Sequence, residues 1–449
     1  MLFPNLGAEE GEDWQPFRKE ARVRLAARLW CLLYGADMRL RITETSNQNA
    51  AGFETCQDLW PESLGPTPDK AVFEWLDTPG RATAWLNTES IEQQVWDLTG
   101  EHLSGPSSEC VRRVHDKAFA IESARDLGLL SRDLDSCIQV IDADSLAEPD
   151  TLIRLLDAKL AEWPDWTQRE FTLKPRSGGS GRGRVAGRRT LDHASIRGAF
   201  PRLAKRGGAI LEPWLSRRAD LSVSLFVPPP ENPDLATTVL GSLEMLVTAG
   251  GVVRGHCGEV DSRGRIFSGH PKDETLRADA AGVANQARQA GFFGPCGVDA
   301  FTFTETRRDP QSGQRNSIHT ERSSDGDAAA DRERLRSVVE FNARMTMGLV
   351  AIGLVRRALP KIRKALDLMP GGRRGFLLTF VNEKAGAHAA DVSHENTHPE
   401  IEALVRAGGP GAFAIDLAVA RKDDALRPIL VVARERESLR DAHLETFGI

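Results

Sequence analysis

The stretch VVEFNARMTMG, residues 338–348, carries Glu340, Asn342 and Arg344 at alternating positions in an otherwise apolar segment. In a β-strand, alternate side chains point to one face. The pattern therefore predicts a row holding a carboxylate, an amide oxygen and a guanidinium. Glu and Asn are hard oxygen donors suited to Mg²⁺, which shares the rest of its shell with waters and substrate phosphates. An Arg beside them suits an anion that the metal alone does not neutralise. The row points to nucleotide phosphate chemistry, whose other parts must lie upstream.

FTLKPRSGGSGRGRV, residues 171–185, reads as a strand ending at Lys174 that runs into Gly178, Gly179, Ser180, Gly181 and Gly183. Glycines let successive N–H groups wrap phosphate oxygens while Lys174 adds a point charge. No Gly-Lys-Ser/Thr follows, so this is not a Walker A loop. The bland alternative is a flexible Arg-Gly loop that touches RNA or nothing. ILEPWLSRRADLSVSLFV, 210–227, places Glu212 before an extended Pro213-Trp214-Leu215 connector, with Asp220 opening the next strand. Backbone groups of such a connector can hold an adenine, and the later acid its ribose; the competing reading is a surface turn. In GPCGVDAF, Asp299 interrupts an apolar strand, where an inward carboxylate is costly unless paired or metal-bound. Lys117, in VHDKAFA, opposes the dipole at a helix start, where an anionic partner would help.

The chain has 449 residues and a net charge of −6 with both signs mixed, so nothing global argues for nucleic acid or an anionic membrane. Six scattered cysteines without CxxC spacing suggest buried thiols in a reducing compartment. The acidic N-terminus, MLFPNLGAEEGEDW, has no basic n-region, and no apolar run is long enough to span a bilayer. A cytoplasmic protein is the expectation. Residues 1–110 hold six of the nine tryptophans, read as core and interface. Helices are expected over Trp14–Leu33, 116–130 behind an Asp116 cap, 149–162, 194–206 and 345–366. Strands are expected at Ser136–Ile141, Phe171–Lys174, Ala209–Glu212, in 221–227 and 243–256, and at 297–303. Residues 305–334 are polar and read as a surface insertion. Runs at 375–381, 413–419 and 428–434 suggest a small C-terminal α/β module.

Taken in order, these motifs resemble the ATP-grasp superfamily over roughly residues 105–356: an early Lys, a second Lys with a Gly-rich loop, a Glu-led hinge with a later acid, Asp on a strand, then Glu-x-Asn-x-Arg. The resemblance implies an α/β (α+β) ATP-grasp fold with an N-terminal pre-ATP-grasp domain at 1–110. It places the ATP-grasp domain at 111–356, with a lid at about 134–212, and the C-terminal module at 357–449. It implies that Lys117 and Lys174 bind ATP phosphates, and that Gly178, Gly179, Ser180 and Gly181 belong to a mobile lid, with Arg176, Arg182 and Arg184 making it anion-seeking. Glu212, Trp214 and Leu215 would hold adenine and Asp220 the ribose. Asp299, Glu340 and Asn342 would hold one or two Mg²⁺, with Mn²⁺ a possible substitute, and Arg344 would act with Lys174 in catalysis. The implied reaction is ATP-dependent ligation of a carboxylate to an amine through an acyl phosphate, with release of ADP and phosphate. Amino acids or a peptide are possible substrates, and a homodimer is a possible assembly.

Three departures stand out. Asp220 is shorter than the usual Glu, the insertion separates Asp299 widely from Glu340, and Gly297 stands where some ligases carry an Arg. Arg254 is a candidate for the substrate carboxylate. Competing readings are a kinase of the same fold, a nucleotide-binding protein without turnover, and RNA binding through SGGSGRGRVAGRR. His388, His394 and His398 with Asp391 and Glu395 are read as a solvated loop, and His256 and Cys257 as packed strand residues.

Overall fold

A computed structural model describes residues 1–10, 20–43, 51–77, 81–146, 148–179, 183–188, 192–248, 251–305, 332–382, 398–418 and 426–448. Ser180, Gly181, Arg182, His388, Asp391, His394, Glu395 and nearly all of the polar insertion lie outside the described residues.

The N-terminal part builds a four-stranded sheet from β1 (Leu2–Phe3), β2 (Arg39–Thr43), β3 (Ala51–Thr55) and β4 (Thr83–Ala84), in the order β3-β2-β1-β4. α1 spans Ala21–Cys31, within the expected Trp14–Leu33, of which residues 14–19 lie outside the described residues, and buries Leu25, Leu29 and Trp30. Trp30 and Trp85 meet edge to face inside this core, as expected of the tryptophans, whereas Trp96 is half exposed. α2 (Glu89–Thr99) and α3 (Ser108–Val114) lead to α4 (Lys117–Asp126). The Asp116 side chain accepts from Ala118 N–H at 2.9 Å and so sets the start of α4.

A short helix α5 (Arg132–Asp135) precedes a second, antiparallel sheet of β5 (Gln139–Asp142), β6 (Glu170–Pro175), β7 (Val185–Arg188) and β8 (Gly208–Pro213), in the order β5-β8-β6-β7. α6 (Pro149–Glu162) and α7 (His193–Lys205) pack on it. Leu152, Ile153, Leu156 and Leu160 of α6 meet Phe171, Leu173 and Leu211 of the sheet, giving this unit its own core. The expected helix at 149–162 is matched at both ends, because Pro149 at the first helical position fixes its start.

The main sheet has nine strands: β9 (Arg217–Val227), β10 (Thr238–Val247), β11 (Val253–Asp261), β12 (Ile266–Phe267), β13 (Gly294–Glu305), β14 (Arg332–Asn342), β15 (Arg373–Asn382), β16 (Phe413–Asp416) and β17 (Leu426–Ala433). Their order is β14-β13-β9-β10-β12-β11-β15-β17-β16, with β10 also pairing β11. The C-terminal strands thus continue the central sheet through the pairing of β15 with β11. α8 (Asp273–Gln289) and α9 (Met347–Ala365) pack on its opposite faces. Arg277 of α8 reaches Ser242 at 3.4 Å, while a Cβ placed on Gly348 of α9 would lie 3.1 Å from the Ser222 hydroxyl on the other side. α10 (Pro399–Ala407) and α11 (Arg436–Phe447) complete the chain.

Two sequence expectations need correction. Arg344 is not on the strand, because β14 ends at Asn342 and Arg344 N–H turns back to Asn342 C=O at 2.8 Å. Asp220 does not open β9, which begins three residues earlier at Arg217; Asp220 lies between Met245 and Phe301 of the neighbouring strands. Among the described residues, no helix is long and apolar enough to cross a membrane. All six cysteines are described and free.

Candidate active site

The site forms where the second sheet leans over the edge of the main one. β13 and β14 run antiparallel, and the register sets Asp299 directly opposite Glu340 and Gly297 opposite Asn342. The length of the insertion between the strands is therefore immaterial to the pairing: adjacent antiparallel strands fix the two carboxylates whatever connects them. Ser222 of β9 continues the same row.

Like charges facing each other in a partly buried place are unfavourable unless a cation or proton intervenes. Burial, followed by the nearby Glu340, pushes the Asp299 carboxyl up to about 7. Asn342 Nδ2 donates to Asp299 Oδ2 at 3.0 Å. Rotating that amide by 180° would present its oxygen instead, completing a set of two carboxylates and an amide oxygen. This hard-oxygen set fits Mg²⁺, with remaining positions left for waters and phosphate. Among the described residues, no group of three or more His, Cys, Asp or Glu gathers as a self-sufficient metal cage.

Cations border the row. Lys117 Nζ lies 3.1 Å from Glu340 Oε1 and donates to Gly178 C=O, tying α4 to the glycine loop. Burial works against ionised Glu340, but Lys117, His115 and Lys174 outweigh it, so its pKa lies below the ordinary value. Lys174 Nζ pairs with Glu212 Oε1 at 2.7 Å, and Arg336 Nη2 with Glu212 Oε2 at 2.7 Å. Burial opposes the Glu212 charge, yet Arg336 and then Lys174 hold its carboxyl down at about 2. Burial lowers the Lys174 pKa. Glu212 thus anchors two cations by its side chain, a role the hinge reading did not foresee, and Arg336 was missed altogether. Its one sequence signal is a charge at an alternate position of the strand that carries Glu340 and Asn342.

The glycine loop begins where Arg176 grips Asp116, with contacts of 2.7–3.0 Å, and also reaches Asp142. Arg176 is therefore committed to the fold and is not a free anion-seeking side chain. Gly178 adopts φ +121°, which L side chains rarely adopt, and a Cβ on Gly179 would lie 2.6 Å from Glu9 Oε1. Two acids from the loop after β1 occupy this corner. Glu10 Oε1 accepts from Gly179 N–H at 2.8 Å, and Glu10 Oε2 meets Arg206 at 2.6 Å. Glu9 Oε1 lies 3.4 Å from Arg344 Nη2. Neither acid was singled out from sequence, since their significance depends on a contact with residues about 170 or more positions away.

The connector behind Glu212 lines a cavity of about 430 Å³ with Arg184, Trp214, Leu215, Arg217, Asp220 and Arg440. Arg184 and Arg217 lie over the Trp214 ring at 4.6 and 5.4 Å. Trp214 N–H donates to Glu170 C=O at 2.8 Å, while Asp220 pairs with Arg217 at 2.6 Å. Leu215 joins Ile210, Phe301 and Phe303 in an apolar cluster between the two sheets. The cavity itself combines apolar lining from Trp214, Leu215, Met245 and Val247 with a few polar groups, as small-molecule sites do.

His256 is buried on β11 beside Met245 and Leu378, as a packed strand residue should be, although its Nδ1 has no hydrogen-bond partner among the described residues. Arg254, two residues earlier on the same strand, is half-buried. His398 begins α10, with Nε2 3.0 Å from Asn382 C=O.

The structure therefore gathers Lys117, Lys174, Gly178, Gly179, Glu212, Asp299, Glu340, Asn342 and Arg344 about one cleft, with Trp214, Leu215 and Asp220 at the adjoining cavity. Three cationic side chains, a backbone donor at Gly179 and paired hard-oxygen ligands have the composition of a phosphate and divalent-cation site. No protein-family model and no curated protein matches the chain. Among solved structures, it is similar to N5-carboxyaminoimidazole synthase from Aspergillus clavatus in complex with ADP and 5-aminoimidazole ribonucleotide (14% identity, 82% of this chain and 81% of that chain, TM-score 0.45). It is also similar to N5-carboxyaminoimidazole ribonucleotide synthetase from Thermus thermophilus (14%, 84% and 83%, 0.45). A third is the biotin carboxylase–ATP-analogue complex from Campylobacter jejuni (13%, 80% and 72%, 0.44). At these identities, the roles of individual residues rest on the contacts above.

Proposed function

We propose that the chain is an ATP-grasp ligase that uses ATP and Mg²⁺ to join a small-molecule carboxylate to an amine through an acyl phosphate. The observation that carries this reading is the register of Asp299 against Glu340, with Lys117 on Glu340 and the Lys174–Glu212 pair beside them.

Asp299, Glu340 and Asn342 would hold Mg²⁺, which when bound neutralises charge on the phosphates. Lys117 and Lys174 supply fixed positive charge toward the ATP phosphates, and Glu212 keeps Lys174 in position. The Gly179 N–H is a phosphate donor once Glu10 leaves it. Arg344 faces the γ-phosphoryl group and then the acyl phosphate. Phosphoryl transfer needs positioning and charge neutralisation more than covalent help, which is what these groups offer. The apolar lining of Leu215, Met245 and Val247, with the Trp214 connector, takes the base, and Asp220 the ribose. Closure of the second sheet over the cleft excludes water that would hydrolyse the acyl phosphate.

The test is a screen of ATP-to-ADP conversion against amino acids and dipeptides, with mass spectrometry of the products. ADP and phosphate release that requires both an acid and an amine, and an amide product, support the ligase. A phosphorylated acceptor formed without any amine makes the chain a kinase. Unchanged product formation in Lys174→Ala and Glu340→Ala removes the site assignment.

A further inference from the structure

One buried side chain at the cleft has no task in the reaction outlined above: His115. It caps the C-terminal end of α3, two residues before Lys117, and is 8% exposed. Its Nδ1 accepts from Ala343 N–H at 3.2 Å. Ala343 lies between Asn342 and Arg344, so the ring is fastened to the backbone that carries both. A ring nitrogen that accepts is unprotonated, and the neutral imidazole must then carry its proton on Nε2. That Nε2 is buried and has no hydrogen-bond partner among the described residues. A buried donor left unsatisfied loses the hydrogen bond it had with water, so an orphan at the border of a cleft points to a ligand atom. Arg344, Glu340, Glu9 and Lys117 are the charged groups that face the ring. Burial, then Arg344, holds its pKa at about 4, so it is a neutral donor at pH 7.

We propose that His115 is a catalytic residue whose Nε2–H donates a hydrogen bond to an oxygen of the phosphoryl group in transfer, on the flank opposite its tie to Ala343. The inference rests on the ATP-grasp reading above and adds a residue to it. The bond is neutral to anionic, needs no proton transfer, and strengthens as charge develops on that oxygen. No amine or carboxylate need be known to test it.

The two nitrogens can be separated by substitution. His115→Asn keeps an acceptor near Nδ1 for Ala343 N–H and deletes the distal donor. His115→Gln keeps an amide donor near Nε2 and gives up the proximal acceptor. The probes are MgADP alone, and orthovanadate added to the protein saturated with MgADP, both followed by calorimetry. The expected result is MgADP affinity within about twofold in all three proteins, with vanadate affinity kept in His115→Gln and reduced roughly tenfold in His115→Asn. Vanadate binding equal to wild type in His115→Asn overturns the proposal. So does equal loss in both variants, or a greater loss in His115→Gln, since the ring would then serve only to hold Ala343. Wild type that binds MgADP but no vanadate also overturns it. Wild type that binds no MgADP overturns the nucleotide reading itself, a distinguishable failure.

Discussion

Binding of Mg²⁺ should release a proton from Asp299, and the effect can be sized. With its carboxyl raised to about 7, Asp299 is about nine-tenths protonated at pH 6 and about one-tenth at pH 8. A metal ligand must be deprotonated, so Mg²⁺ competes with that proton. Apparent Mg²⁺ affinity should therefore fall roughly tenfold from pH 8 to pH 6, with about 0.9 proton released per ion at pH 6 and about 0.1 at pH 8. Neighbouring groups do not blur the signal. Glu340 is held in its ionised form, and His115 at about 4 is neutral across this range. The assay is titration calorimetry of Mg²⁺ into the ADP-bound protein, in buffers of different ionisation enthalpy, for wild type and Asp299→Asn. The difference between the two proteins removes the titration of ADP itself. Equal proton release in wild type and Asp299→Asn at pH 6 would refute the reasoning. The same carboxyl bears on the metal-free fold. Its folded pKa is raised, so its contribution to stability is complete below about pH 4 and is lost as pH rises through 7. The loss is at most about 4 kcal/mol, and Asp299→Asn should abolish that part of the pH profile.

Glu212→Gln leaves Lys174 and Arg336 buried without their carboxylate and should cost about 3 kcal/mol in chemical denaturation, whereas Glu212→Gln with Arg336→Met should cost less than the sum of the single changes. Because the Glu212 carboxyl is depressed to about 2, the stability it contributes is present above its ordinary value near 4.5 and disappears as pH falls through 2, which acid titration of wild type and variant can compare. Glu10→Ala frees the Gly179 N–H and should tighten ADP binding about fivefold, the worth of roughly one hydrogen bond, measured by calorimetry; weaker binding would show that Glu10 organises the loop for the nucleotide. Lys174→Ala and Glu340→Ala should each lower ATP turnover by at least about a hundredfold, read as ADP release.

Local sequence determined much of this protein. The helix at 149–162 follows from Pro149 and its leucines, and the start of α4 from Asp116, because periodicity and caps act within a few residues. The order of Lys117, Lys174, the glycines, Glu212, Asp299 and Glu340–Asn342 was legible for a similar reason, since each chemical group sits in a short segment with its own strand or loop signal. The tertiary structure decided which of those groups meet. A strand pattern does not encode its partner's register, so only the pairing of β13 with β14 made Asp299 the companion of Glu340 across the insertion. It also turned Arg344 off the end of that strand, committed Arg176 to Asp116, and placed Arg336 on Glu212. Glu9, Glu10 and His115 had no local mark at all. Their meaning comes from contacts with Arg344, Gly179 and Ala343, which lie some 170 to 335 positions away, and long-range contacts of that kind exist only once the chain has folded.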